Sequence, residues 1–175
     1  PLIISAVRIA GKVSCTSAIR IRIVSAAPPR YPAVSPTTMP STTAMTTEAL
    51  AAAGLNPTGI VGGRIGSWGG NALIGGVDIY VVEADEYDKS FLSLKPEVAV
   101  INNVEPDHLE CYDGSVENLE AAFVRFAAPA RTVIVGADDA GAMRIAKALG
   151  RTVWRVGFAD VAEVRISRLA QSSVG

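Results

Sequence analysis

The second half of the chain alternates between short apolar runs and segments with helical periodicity, and this alternation constrains the fold more than any other feature. Ser115 precedes a segment whose apolar residues recur at helical spacing, which predicts a helix with Ser115 as its cap. A second helix is predicted at residues 140–149. Strands are predicted, in chain order, at 78–83, 97–103, 132–136, 152–158 and 163–169. Strands that alternate with helices predict an α/β fold with a mostly parallel sheet flanked by helices.

The composition indicates one globular domain and excludes several classes of partner. The chain has 175 residues, of which 49% are hydrophobic and 19% charged. A net charge of −1 argues against nucleic acid or an anionic membrane as a partner, and no apolar run approaches the roughly 18 residues of a membrane span. Cys15 and Cys111 are too few for a disulfide framework or a zinc cluster, which is typical of a reducing cytoplasm.

Residues 1–40 differ in character from the rest of the chain. The first acidic residue is Glu48, and five basic residues precede it. An acid-poor leader of this kind has the composition of a transit peptide, of a basic tail, or of sequence that was never selected to fold. We interpret residues 1–40 as an irregular or frame-shifted segment, and residues 41–175 as the folded domain.

Polar residues follow two consecutive predicted strands. Glu83 ends the first strand and opens a run of carboxylates, while the second strand leads to His108, the only histidine. The carboxyl ends of parallel strands meet at one edge of a sheet, where ligands bind. A carboxylate and an imidazole placed there could share one Mg²⁺. Taken singly, each segment is more simply a solvated loop, with His108 at the surface, but two clusters on consecutive strand ends favour a site.

Two other segments allow both a structural and a functional interpretation. Residues 62–76 are rich in glycine, which is typical of a flexible hairpin or of a backbone surface that lines a ligand cleft. Asp138 and Asp139 follow the strand at 132–136, where we expect them to cap the next helix.

Three sequence segments together resemble a known family. GGNA, VVEADEYDKSFLSLKPEVAVINNVEPDHLECY and GADDAGA are similar to the central ATP-binding domain of the Mur peptidoglycan ligases, in the branch that adds L-alanine. The resemblance covers roughly residues 41–170. It implies a fold like that of the P-loop nucleotide hydrolases, a cytoplasmic role in cell-wall synthesis, cell shape and division, and ATP and Mg²⁺ as cofactors. By motif position, Glu83 and His108 match the metal-binding and catalytic residues of the family.

The resemblance also implies a reaction. Members phosphorylate the lactyl carboxylate of UDP-N-acetylmuramate with ATP, and the amine of L-alanine then attacks the acyl phosphate to form a peptide bond. These small molecules are the implied partners, with no nucleic acid and no insertion into a membrane. Members of the family have three domains, and the resemblance covers the central one. We expect this central domain, residues 41–175, to be incomplete at its C-terminus.

The phosphate-binding loop of the family has no counterpart in this chain. Members carry G-T-H-G-K-[ST]-T-T before the helix that begins near Ser41, and its backbone N–H groups and lysine hold the phosphates. Here Met39 stands where the lysine belongs and Pro40 where a hydroxyl should bind metal. We therefore assign no nucleotide-binding residues and expect this chain alone to be inactive. The alternatives are a non-catalytic pseudoenzyme fragment, or a sister such as murein peptide ligase or folyl-polyglutamate synthase.

Overall fold

The computed structural model describes residues 3–7 and 41–167. These residues form three α-helices and one mixed sheet of eight strands. The helices are α1 (Thr42–Ala52), α2 (Val116–Ala127) and α3 (Ala140–Leu149). The strands are β1 (Ile3–Val7), β2 (Thr58–Ile65), β3 (Gly70–Leu73), β4 (Tyr80–Ala84), β5 (Val98–Ile101), β6 (Thr132–Gly136), β7 (Trp154–Gly157) and β8 (Val164–Arg165).

The sheet is mostly parallel, as the alternation of strands and helices predicts. Its strand order is β3-β2-β4-β1-β5-β6-β7-β8. β2 pairs in parallel with β4, and β5, β6, β7 and β8 pair in parallel with one another. β1 runs antiparallel to both β4 and β5, so β4 and β5 point the same way. The carboxyl ends of these two strands therefore lie at one edge of the sheet, as expected.

The strand β1 differs from the expectation that residues 1–40 are irregular. Ser5 lies opposite Val82 on one side and Ala99 on the other, so the segment at 3–7 occupies the middle of the sheet. The sequence IISAV is rich in β-branched residues, which favour strands. The facing edges of β4 and β5 carry backbone groups that need hydrogen-bond partners, and this segment supplies them. Residues 8–40, and with them Met39 and Pro40, lie outside the described residues.

The core lies between the sheet and helices α2 and α3. The apolar positions predicted for α2, Leu119, Phe123 and Phe126, are all buried. Phe91 packs against both phenylalanines, with ring centroids 5.6 and 5.2 Å apart. Buried residues from β5 and β6 complete the cluster, so the strand that leads to His108 is anchored in the hydrophobic core.

The helices begin where the sequence places their caps. The side chains of Ser41, Ser115 and Asp139 each accept a backbone hydrogen bond from the first turn of α1, α2 and α3, respectively. α1 leads into β2 through a short connection and packs on β2 and β4. Its N-terminus, at Ser41, therefore points towards the edge where β2 and β4 end.

Candidate functional site

Glu83 and His108 line the same cavity at the carboxyl edge of β4 and β5. The cavity measures about 250 Å³, and its wall also includes Gly62, Asp85 and Glu86. Glu83 is supplied by β4 itself, whereas His108 stands at the end of the loop that follows β5. The structure thus brings together the two polar clusters that the sequence placed on consecutive strand ends.

The carboxylate of Glu83 is held by the backbone of the neighbouring strand. Its Oε2 accepts a hydrogen bond of 2.7 Å from the N–H of Gly62. This bond restricts the orientation of the carboxylate and leaves Oε1 for another partner. A carboxylate held in this way at a strand end is a suitable ligand for a hard cation.

The glycine-rich segment at 62–76 forms a hairpin, and part of it also lines the cavity. β2 and β3 pair as an antiparallel hairpin, and a short 3-10 helix at Gly66–Trp68 connects them. Gly62 and Gly63, on β2, form part of the cavity wall beside Glu83. The segment is therefore a hairpin whose backbone lines the site.

The backbone of His108 adopts an unusual conformation. Its φ angle is 52°, in the left-handed region that residues other than glycine seldom occupy. The N–H of His108 donates to Oδ1 of Asp107 at 3.0 Å, and the carbonyl oxygen of His108 accepts from the N–H of Cys111 at 3.0 Å. These two bonds hold the turn that projects the imidazole over the cavity.

The acidic residues after β4 do not share one environment. Asp85 and Asp88 accept backbone hydrogen bonds from Tyr87 and Ser90, respectively, so their carboxylates shape the turn. The bonds from Ser90 hold the pKa of Asp88 below its usual value. Asp88 therefore has the solvated structural role that the simpler interpretation gave to the whole cluster.

Glu86 is buried, which the sequence did not indicate. It is only 2% exposed, and burial raises the pKa of its carboxyl above the ordinary value. Its carbonyl oxygen accepts a hydrogen bond of 2.6 Å from the hydroxyl of Tyr112. No local signal pointed to this burial, because the buried residues of β4, Val81 and Ala84, do not alternate in a way that would extend to Glu86.

Asn71, from the GGNA segment, is a second residue that reasoning from charge patterns missed. Among the described residues, its Oδ1 is buried and has no hydrogen-bond partner. Asn71 lines a second cavity of about 230 Å³, and Glu83 and Ala84 belong to the walls of both cavities. A buried carbonyl oxygen without a donor costs about 1–3 kcal/mol. It is thus a group that a ligand N–H or O–H would stabilise.

Asp139 caps α3 as expected, whereas Asp138 does not cap this helix and bonds instead to the loop after β7. Oδ1 of Asp139 accepts hydrogen bonds from Ala142 at the start of α3 and from Val104 in the loop after β5. Asp138 accepts from the backbone N–H groups of Phe158 and Ala159. Their carboxylates are therefore committed to joining loops.

The donor atoms at the cavity fit Mg²⁺ better than a metal held in an all-protein cage. In the part of the chain that the structure describes, no group of three or more His, Cys, Asp or Glu side chains is arranged to hold a metal. Structural zinc and calcium sites need such groups. Mg²⁺ commonly takes one or two protein ligands and completes its shell with water and substrate phosphates. The carboxylate of Glu83 suits that pattern, and the imidazole of His108 would add a nitrogen ligand, which is less usual for Mg²⁺.

Within residues 3–7 and 41–167, the helices are all too short or too polar to cross a membrane.

Comparisons with known proteins agree on one family. A profile of the Mur ligase middle domain matches residues 40–175. The chain is 43% identical over 141 residues to UDP-N-acetylmuramate–L-alanine ligase of Salinispora tropica, covering 77% of this chain and 27% of that protein. It is 39% identical over 137 residues to the ligase of the same name from Dichelobacter nodosus, covering 77% and 29%.

A solved structure supports the same relationship. The chain resembles the crystal structure of UDP-N-acetylmuramate–alanine ligase from Thermotoga maritima, with a TM-score of 0.54 and 29% identity over 65% of this chain and 25% of that one. The chain thus spans about a quarter of the length of the relatives it matches. The matched profile covers most of the residues, and the fold and the sequence similarity point the same way: this chain belongs to the Mur ligase middle-domain family.

Proposed function

We propose that this chain is the middle domain of an ATP-dependent ligase that joins L-alanine to UDP-N-acetylmuramate in cytoplasmic peptidoglycan synthesis. The family and the names of the relatives support this class of reaction. The observation that carries the proposal is the meeting of Glu83 and His108 at one cavity on the carboxyl edge of β4 and β5.

The residues of the cavity have distinct roles in this proposal. Glu83 and His108 would hold Mg²⁺, and the N–H of Gly62 keeps the Glu83 carboxylate in position. When bound, Mg²⁺ would neutralise charge on the phosphoryl group that is transferred. Strand ends suit this task, because ligands fixed before the reaction need no reorganisation while charge develops.

The proposed reaction forms two bonds in turn. A carboxylate oxygen of UDP-N-acetylmuramate bonds to the terminal phosphorus of ATP, and ADP leaves. The amine of L-alanine then attacks the carbonyl carbon of the acyl phosphate, and inorganic phosphate leaves with the formation of the C–N bond. Positioning accounts for much of the rate in reactions of this kind, which is why a rigid sheet edge is a suitable support.

The residues that stand in place of the phosphate-binding loop favour a second candidate function, a non-catalytic one, for this chain by itself. Met39 and Pro40 lack the ammonium group and the hydroxyl that such a loop supplies, and proline also lacks an N–H. A non-catalytic fragment would retain the cavity without turnover. A sister ligase is the weaker alternative, because the relatives named above are L-alanine ligases.

A chimeric enzyme can distinguish a domain that still supports catalysis from one that has lost this ability. Residues 41–167 would replace the matching segment of the Salinispora tropica ligase, which would keep its own preceding sequence. We expect ADP to form only when UDP-N-acetylmuramate, L-alanine and Mg²⁺ are all present. Glu83→Ala and His108→Ala should each lower turnover about a hundredfold, the usual effect of removing one electrostatic contributor. Asp160→Ala, at an exposed ion pair, should leave turnover unchanged.

The unmodified chain supplies the other arm of the test. It should bind ATP too weakly for calorimetry at micromolar concentrations, and it should form no ADP. A folded chimera without turnover would support the non-catalytic candidate instead. Near-normal turnover in both alanine variants at saturating Mg²⁺ would show that Glu83 and His108 are not metal ligands.

A further inference from the structure

The imidazole of His108 lies near two carboxylates, but neither fixes the orientation of its ring. Nδ1 is 3.6 Å from an oxygen of Glu110, and Nε2 is 4.0 Å from an oxygen of Asp107. Both distances are longer than a hydrogen bond, and both carboxylates are more than 60% exposed. An exposed carboxylate at such a distance holds a neighbouring ring weakly and without directional preference.

Tyr87 makes a directional contact with the same ring. The centroids of the two rings are 4.9 Å apart and the ring planes are at 83°. This is the edge-to-face geometry that aromatic pairs prefer, and it restricts rotation of the imidazole. Tyr87 is 53% exposed, so burial in the core does not account for its position.

The backbone around Tyr87 is itself well anchored. The N–H of Tyr87 donates to Oδ1 of Asp85 at 3.0 Å, which closes a tight turn. The next residue back, Glu86, is buried, and its carbonyl oxygen accepts bonds from the hydroxyl of Tyr112 and the N–H of Lys89. An exposed aromatic ring on a fixed backbone is suited to hold a neighbour in place.

We infer that Tyr87 is a positioning residue that sets the orientation of the His108 imidazole at the cavity. Tyr87 acts through His108 and is not itself a ligand or a catalytic group. This inference rests on the proposed function, since it concerns a ring that is there assigned to metal binding. An aromatic pair contributes about 0.5–1.5 kcal/mol, so loss of the ring should weaken metal binding about two- to tenfold.

The test uses the full 175-residue chain, in which His108 is the only histidine. Isotopic labelling of histidine then gives NMR signals from a single imidazole, so every labelled signal belongs to His108. Three variants are compared at constant pH: Tyr87→Ala, Tyr87→Phe and Trp154→Ala. Phenylalanine keeps the ring and loses only the hydroxyl. Trp154 is a matched control, because it is also 53% exposed and lies on β7, away from the cavity.

Two readouts are measured for each variant. The first is the chemical shift of the imidazole protons, which ring currents from Tyr87 displace. The second is the concentration of Mn²⁺, a paramagnetic substitute for Mg²⁺, that broadens these signals by half. We expect Tyr87→Ala to move the shifts towards those of free histidine and to raise the required Mn²⁺ about two- to tenfold. Tyr87→Phe and Trp154→Ala should match the unmodified chain.

Each contrary outcome has a definite meaning. Unchanged imidazole shifts in Tyr87→Ala would overturn the inference, and so would an unchanged Mn²⁺ requirement. If the unmodified chain did not respond to Mn²⁺ at all, both the inference and the metal role of His108 would be wrong. A chimera without turnover, combined with the expected NMR results, would overturn the proposed function alone.

Discussion

At the scale of single residues, the segment EADEYD shows how differently neighbouring acids behave. Glu83 faces a cavity, Asp85 and Asp88 accept backbone bonds within a turn, and Glu86 is buried. All four are carboxylates within six positions of the chain. Solvent access and the direction of each side chain, rather than chemical type, therefore separate their roles.

Glu86 should make the stability of the protein depend on pH. Burial raises the pKa of its carboxyl in the folded chain above the usual 4.5, so the folded state binds the proton more tightly than the unfolded state does. The free energy of unfolding should therefore fall as pH rises from the unfolded pKa through the raised one. Glu86→Gln removes this titration, so the variant should gain stability relative to the unmodified chain as pH increases.

Urea denaturation at about pH 4 and about pH 8 measures this difference, because the first value lies below the ordinary glutamate pKa of 4.5 and the second lies well above it. Glu163→Gln provides a contrast of opposite sign. Arg155 lowers the pKa of Glu163 to about 2, so this carboxylate stabilises the fold above pH 4.5 and loses that effect as pH falls. If Glu86→Gln and the unmodified chain showed the same pH dependence, the raised pKa of Glu86 would be contradicted.

At the scale of secondary-structure elements, helix caps also connect parts of the site. Oδ1 of Asp139 accepts from Ala142 at 2.7 Å and from Val104 at 3.0 Å. The first bond starts α3, and the second holds the loop that runs from β5 to His108. One side chain therefore stabilises a helix and the segment that carries a candidate ligand.

Asp139→Ala should destabilise the fold by about 1–2 kcal/mol, the usual cost of losing a helix N-cap. Asp139→Asn should cost less, because the amide oxygen still accepts a backbone bond. Asp160→Ala is the control, since this exposed residue pairs with Arg165 at the surface and should change stability by less than about 0.5 kcal/mol. Equal effects of the Asp139 and Asp160 substitutions in urea denaturation would argue against the capping role.

At the scale of the whole molecule, a strand from the N-terminal end of the chain lies in the middle of the sheet. β1 joins a group of three strands, β3-β2-β4, to a group of four, β5-β6-β7-β8. The chain between β1 and α1 is long, so closing this pairing carries an entropic cost. The backbone hydrogen bonds on both sides of β1 offset that cost.

Amide hydrogen exchange can establish whether β1 is a lasting part of the sheet. We expect the amides of Ile3–Val7 to exchange as slowly as those of β4 and β5, because a central strand bonds to a neighbour on each side. The exposed edge strand β8 should exchange faster and provides the internal control. Rapid exchange at Ile3–Val7 with continued protection of β4 and β5 would show that the sheet does not need β1.

Several features were predictable from the sequence because they depend on local pattern. The run TVIVG gives β6, and the apolar spacing of Leu119, Phe123 and Phe126 gives the buried face of α2. Ser115 and Asp139 begin helices through bonds to residues three positions away. The shared edge of Glu83 and His108 also followed from the sequence, because parallel strands that alternate with helices end on the same side.

Other features depend on which distant segments meet, and only the tertiary structure decided them. The antiparallel insertion of β1 and the contact of Tyr87 with His108 bring together residues that are separated in the chain, and the burial of Glu86 depends on the surfaces packed around it. Periodicity describes which face of its own element a residue occupies, but not what lies opposite that face. Burial and ring contacts are set by that second surface. The sequence therefore determined the strand ends and their chemistry, while packing determined the environment of each group.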